Sequence, residues 1–305
     1  MATYNLLRES SVHIVHDGSR YLIKTTPEVS FSQTFAEDAY EVKTLHDQTK
    51  MIEGSTITKA NPAQFSFSVP LTAEKDESIV MDLISDLVST VDSGITTQQL
   101  KAFDMYVQTG SATFKVASCV VTGADFAFNP REQFKVDVQG QGTQLSRVGN
   151  ESYTIPGSLQ SESSTRTPLL IYPVVSVSGL DMNSILGVTV SIQNDIKWNP
   201  FETLHQSLNS TTMFPSAYTV TGRVVSGAIQ QYQTDNNITQ FDDFDTNTVI
   251  LVTANKSSDK TPYWTLRINP AMFTARMNVA SIYTQTYDFR SLDNTALGTR
   301  ITQYS

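Results

Sequence analysis

Three stretches of this chain alternate apolar and polar side chains, and nothing in the sequence constrains the fold more. They are Val29-Ser30-Phe31-Ser32-Gln33-Thr34-Phe35, Gln64-Phe65-Ser66-Phe67-Ser68-Val69 and Gln133-Phe134-Lys135-Val136-Asp137-Val138-Gln139. Successive side chains of a strand point to opposite faces, so each stretch has one core face and one wet face. That is the patterning of antiparallel sheets, in a sandwich or barrel. Pro70 ends the second stretch, because it brings no N–H to a ladder. Composition points the same way. The chain holds 33 Ser and 38 Thr in 305 residues, both weak helix formers, and Thr favours strands.

One helix is expected. Residues 78–91 carry Ile79, Leu83, Leu87 and Val91 at helical spacing, widened by Val80, Ile84 and Val88, a stripe fit to cover one sheet. Asp76 or Ser78 would cap it, Glu77 suits its positive end and Gly94 its stop. Residues 143–168 are rich in Ser, Thr, Pro and Gly and read as a linker with little to bury. They divide the chain into a block 1–142 with an N-terminal arm and a block 169–305 with a C-terminal arm.

The two blocks repeat each other weakly. Val29, Ser32 and Thr44-Leu45-His46 fall without a gap on Val188, Ser191 and Thr203-Leu204-His205. Each block then runs through a loop to a proline-led strand, at Pro62 and at Pro215. Later, Thr113-Phe114-Lys115-Val116 matches Thr265-Leu266-Arg267-Ile268, and Asp137 falls on Asp288. The order is strand, long loop, proline-led strand, strand, and a closing strand with a central Asp.

Residues that could carry chemistry have plainer readings. His13-x-x-His16 has no third metal ligand, and on a strand its rings point to opposite faces. His46 and His205 suit loop-anchoring hydrogen bonds. Asp243-Phe244-Asp245 opens like a calcium loop, but Thr248 and Ala254 stand where Gly and Glu are needed. Gly140-Gln141-Gly142 lacks the rest of a dinucleotide fingerprint, and no Gly-x-Ser-x-Gly elbow occurs. Cys119, the one cysteine, excludes disulfide frameworks and multi-cysteine metal sites, and its apolar setting suits core packing. No catalytic, cofactor or metal site is expected. No run of about 18 apolar residues exists to span a membrane, and the N-terminus lacks the pattern of a signal peptide. The net charge is −9, with no basic cluster to grip DNA by its phosphates.

The pattern of strands 29–35, 64–70, 118–128 and 132–140, loop 36–62 and helix 78–92 resembles the tail tube proteins of long-tailed bacteriophages. The chain is similar to the form with two fused modules. The resemblance implies two tandem antiparallel β-sandwich or split-barrel modules, each with a flanking helix or helical turn. It implies a non-enzymatic virion protein, assembled in the host cytoplasm as homotrimeric, pseudo-hexameric rings that stack into a conduit for genome ejection. Its partners would be other copies of itself, a tape-measure protein and tail-terminator or baseplate proteins. DNA would pass without specific binding, and no membrane or cofactor is involved. A tail terminator, distal-tail or baseplate-hub protein is the alternative, with a β-sandwich carbohydrate-binding module or enzyme behind it.

Two residue sets follow. The wet faces assign Ser30, Ser32, Ser66, Ser68, Asp137, Gln139, Thr189, Ser191, Thr219 and Asp288 to a lumen wall, with Asp137 and Asp288 giving matched carboxylates. Long loops are normally functional or disordered. Loop 36–62, with Tyr40, Leu45, Met51, Ile52 and Ile57, and loop 199–214, with Phe201, Leu204 and Met213, would order on assembly by packing on neighbouring subunits or rings.

Overall fold

A computed structural model describes residues 10–40, 54–85, 88–92, 95–129, 132–169, 171–177, 181–199, 213–237, 248–256, 262–279, 281–291 and 300–303. The chain is mainly β. The first half contains β1 (Ser11–His16), β2 (Ser19–Ile23), β3 (Ser30–Ser32), β4 (Phe35–Tyr40), β5 (Gly54–Ala60), β6 (Ala63–Pro70), α1 (Ser78–Ser85), β7 (Val88–Asp92), β8 (Ile95–Gln99), β9 (Phe103–Gln108), β10 (Thr113–Phe128), β11 (Lys135–Gly142), β12 (Gln144–Gly149) and β13 (Ser158–Leu159). The second half contains β14 (Ile171–Val177), β15 (Ile185–Trp198), β16 (Tyr218–Tyr232), β17 (Thr248–Lys256), β18 (Pro262–Asn278), β19 (Thr284–Ser291) and β20 (Arg300–Gln303).

Sixteen strands form one sheet. In the first half the neighbours run β1, β9, β10, β11, β6, β3, and in the second β14, β17, β18, β19, β16, β15. The two runs meet where the latter part of β10 pairs with β15, from Gly123 opposite Gln193 to Phe128 opposite Val188. Sandwich or split-barrel modules are the expectation; among the described residues the sheet does not close into a barrel, β3 having a neighbour on one side only and β18 lacking one along part of one edge.

The second and third alternating stretches bury the expected side, while in the first Val29 and Phe31 are half-buried and Phe35 is exposed. Phe65, Phe67, Phe134, Val136 and Val138 lie in the core with Phe126, Val190, Ile192, Tyr287 and Phe289. Two glycines fix how closely the strands approach. A Cβ on Gly140 would stand 2.1 Å from the Phe65 ring, and one on Gly227 would stand 2.0 Å from the Thr189 carbonyl oxygen. No side chain fits either place. Cys119 is fully buried, as its setting predicts, and burial pushes its thiol far up.

Several expectations need correction. The helix ends at Ser85, and Val88–Asp92 pairs as a strand with β8. Val88 and Val91 are β-branched and serve a strand as readily as a helix. The 143–168 segment is no free linker. β12 pairs with β10, β13 runs parallel to β2, and Ile155 is buried. Its end is clamped by the acids before α1. Glu77, 2% exposed, takes Arg166 on one oxygen and the Thr72 amide and hydroxyl on the other, while Asp76 accepts the Ser163 amide and hydroxyl. These carboxylates therefore hold the segment rather than the helix end. The N-terminal arm includes β1, whose Val12 and Ile14 enter the core. Its Asp17-Gly18 turn, both residues at positive φ, leads straight back into β2. In the C-terminal tail, β20 pairs with β18.

α1 lies across the junction of the halves. Its Met81 lines a small apolar cavity with Phe126, Phe128 and Phe134 from the first half and Val252, Thr265 and Leu266 from the second. Arg223 of β16 is 2% exposed and donates to the last carbonyls of the helix, to Ser85 O at 2.6 Å and to Ile84 O. A cation there satisfies orphan carbonyls and opposes the negative end of the helix dipole.

Candidate functional site

The sheet between β3 and the end of β18 carries a continuous polar face. Directly opposed residues of antiparallel neighbours share a face, so the register can be followed from strand to strand. One row runs Ser68, Asp137, Asp125, Ser191, Ser226, Arg290. The next runs Ala127, Thr189, Ala228, Asp288, Thr274. A third runs Ser30, Ser66, Gln139, Gly123, Gln193, Val224. Ser32 stands two residues from Ser30 on the same side. Thr219 sits opposite Lys197, beyond the bulge at Asp195 and Ile196. The wet-face residues named from the sequence thus share one surface, drawn from both halves of the chain. Asp125, Gln193, Ser226 and Arg290 belong with them and were missed. Glycines near Asp125 and Ser226 blur the alternation there, whereas Gln193 and Arg290 continue the alternating stretches of Ser191 and Asp288 and could have been read with them.

The face is charge-balanced. Asp137 accepts from Ser68 Oγ and has Lys135 Nζ at 3.8 Å. Asp288 is bound by Arg276, with Nε at 2.7 Å and Nη2 at 3.0 Å. Asp125 and Asp195 are matched in number by Lys197 and Arg290 on the same side. Asp137 and Asp288 are therefore not bare carboxylates. What remains is a hydroxyl- and amide-rich surface of nearly neutral charge, whose short-range field salt would screen further.

The second residue set is only partly within the described residues. Tyr40 and Ile57 lie on β4 and β5, which pair from Phe35 opposite Ala60 to Tyr40 opposite Gly54. The arms of loop 36–62 are thus already a hairpin. Met213 is exposed, and its carbonyl accepts the Ala60 amide at 2.9 Å. Leu45, Met51, Ile52, Phe201 and Leu204 fall outside the described residues, as do His46 and His205.

The remaining candidates are structural. His16 Nδ1 lies 2.9 Å from the Ala102 carbonyl oxygen and His13 Nε2 3.2 Å from Ser11 Oγ. Among the described residues no group of His, Cys, Asp and Glu could hold a metal ion. Among the same residues no helix is long and apolar enough to cross a membrane.

The described residues thus present a broad polar sheet face with open edges. The model of the Bacteriophage Baseplate Tube Protein Family matches residues 2–298. The chain belongs to that family. It is therefore a structural component of the tail or baseplate tube of a phage virion. The baseplate tube match covers both halves of the sheet, the clamped 143–168 segment and the helix. No curated protein matches the chain.

Proposed function

We propose that three copies of this chain join edge to edge into a ring, that rings stack into a tube, and that the polar face lines its bore. The observation that carries this reading is the junction inside the chain. β10 has β9 on one edge and β11 followed by β12 on the other, and beyond β9 its free edge takes β15. β18 has the same surroundings: β17 on one edge, β19 and then β20 on the other. Where β15 would follow, at Thr274, no described strand stands. β3, which holds beside β6 the place that β15 holds beside β16, is likewise open on its outer side. The repeated order supports two fused modules from a tandem duplication. A second copy of the chain then supplies the strand that each open edge lacks.

The register follows. Asp125, opposite Asp137, pairs with Ser191 across the internal junction. Thr274, opposite Asp288, holds the place of Asp125, and Ser30 holds that of Ser191. Thr274 of one copy therefore faces Ser30 of the next. Two modules per chain give a pseudo-sixfold ring from three chains. Its wall of Ser, Thr, Gln and balanced charges offers DNA no run of cations with which to exchange counterions, so a genome passes without being held. The role needs no catalysis and no cofactor. The family's name favours a second placement, a ring at the baseplate that starts the tube under the tail tube proper, with tape-measure and baseplate proteins as neighbours. It uses the same edges.

A variant with Ser30→Cys and Thr274→Cys tests the junction under mild oxidation. Cys119 is buried and stays out of the exchange. The expected product is a covalent ring of three chains, absent from either single variant. Assembled rings that never cross-link would contradict this register.

A further inference from the structure

We infer that rings stack head to tail through two apolar patches, one at an end of the sheet and one beyond its far end, the β18–β19 tip of one copy docking on the base of the β4–β5 hairpin of another. This rests on the ring reading above. Nine large apolar side chains are exposed among the described residues, and four of them lie at the tip, Met277, Val279, Ile282 and Tyr283, with Tyr232 beside them on the polar face. Val279 is 72% exposed and Ile282 57%. The Gln233 amide donates to Tyr283 O at 3.0 Å, which fastens the end of β16 beside the turn. Isolated exposed apolar residues are ordinary, but a cluster marks a contact.

The corresponding turn of the first half is built otherwise. Asn129 Nδ2 donates to Glu132 Oε2 at 2.8 Å, and Phe134 is fully buried with its amide bonded to Leu169 O. Among the described residues one apolar tip per chain therefore remains, three in a ring of three chains.

The occupant is indicated beyond the far end of the sheet, where β4 and β5 pair as a separate two-stranded sheet. Phe35 is 50% exposed and Met213 42%. They adjoin one another through Ala60, which is opposite Phe35 and bonded to Met213. β16 runs from Tyr218, five residues after Met213, to Tyr232 at the tip, about 45 Å at ~3.3 Å per residue. A chain with one apolar knob and one apolar seat at opposite ends makes a heterologous contact, which repeats into a filament instead of closing. A second copy of the chain, displaced along the strands, brings knob to seat.

Two full-length variants test this by negative-stain microscopy and sedimentation: a tip variant, Val279→Asp with Ile282→Asp, and a seat variant, Phe35→Asp with Met213→Asp. Wild type is expected to form stacked rings, and each variant single rings, with ring formation itself showing that the variants fold. Mixed together, the two variants retain one good tip and one good seat, so two-ring stacks and nothing longer are expected. Stacks of normal length from either variant alone, or no pairing on mixing, would overturn the docking. Loss of rings in a variant would overturn it too, by making the patch lateral. Wild type that forms no rings would overturn the ring reading itself and this contact with it.

Discussion

His13 is a base held where a charge is unwelcome. Burial lowers its pKa from the ordinary 6.5, the Arg20 guanidinium lowers it further, and Glu162 opposes both only in part. The folded state thus binds its proton less readily than the unfolded chain. Stability from this residue is whole above pH 6.5 and falls as pH drops below it towards the lower folded value. The loss can reach at most about 1.4 kcal/mol per pH unit. Urea unfolding at about pH 7.5 and pH 5.5 is expected to show a smaller drop for His13→Gln than for wild type. An equal drop would assign the acid sensitivity elsewhere. At this scale the sequence was legible where a residue's neighbours repeat its pattern, as with Phe65 and Ser66. It was not legible for charge pairing. Nothing in the spacing of Arg276 and Asp288 reveals that a hairpin sets them face to face.

α1 is the element on which the two halves depend together. It has eight residues, too few to persist alone, and it is held by Met81 on the junction core and by Arg223 at its end. Arg223→Gln removes a buried cation from two carbonyls and is expected to cost about 2–4 kcal/mol. Hydrogen exchange should show lost protection in 79–85 and at the β15–β16 hairpin, with β1 and β2 unchanged. Uniform loss would mean the halves do not meet through this contact. The strands with aromatic or β-branched alternation, β3, β6 and β11, could be read directly. β4 could not, because Ala36-Glu37-Asp38-Ala39 has low strand propensity and its partner β5 makes it a strand. The 143–168 segment was misread for a related reason. Much of its hold on the first half comes from Glu77, Asp76 and backbone pairing, which composition does not record, beside the few apolar side chains such as Leu145 and Ile155. Under the proposed duplication, the register moves the details of the repeat. Ser30, not Ser32, holds the place of Ser191, and β6 answers to the latter part of β16.

For the whole molecule, the central claim is that a chain with two equivalent halves and two open edges closes in threes. The internal β10–β15 junction is one copy of the contact, and the junction between β18 and β3 of a neighbour is the other. Alternating them makes a ring in which every module sees nearly the same surroundings. In the proposed ring the polar face lines the bore as one surface, its rows running unbroken across the internal junction. Native mass spectrometry of the smallest closed ring tests this most directly. The account predicts a particle of three chains, each of 33.7 kDa, with no stable ring of another size. A closed ring of six chains would contradict it, since each chain would then contribute one module to the wall rather than two.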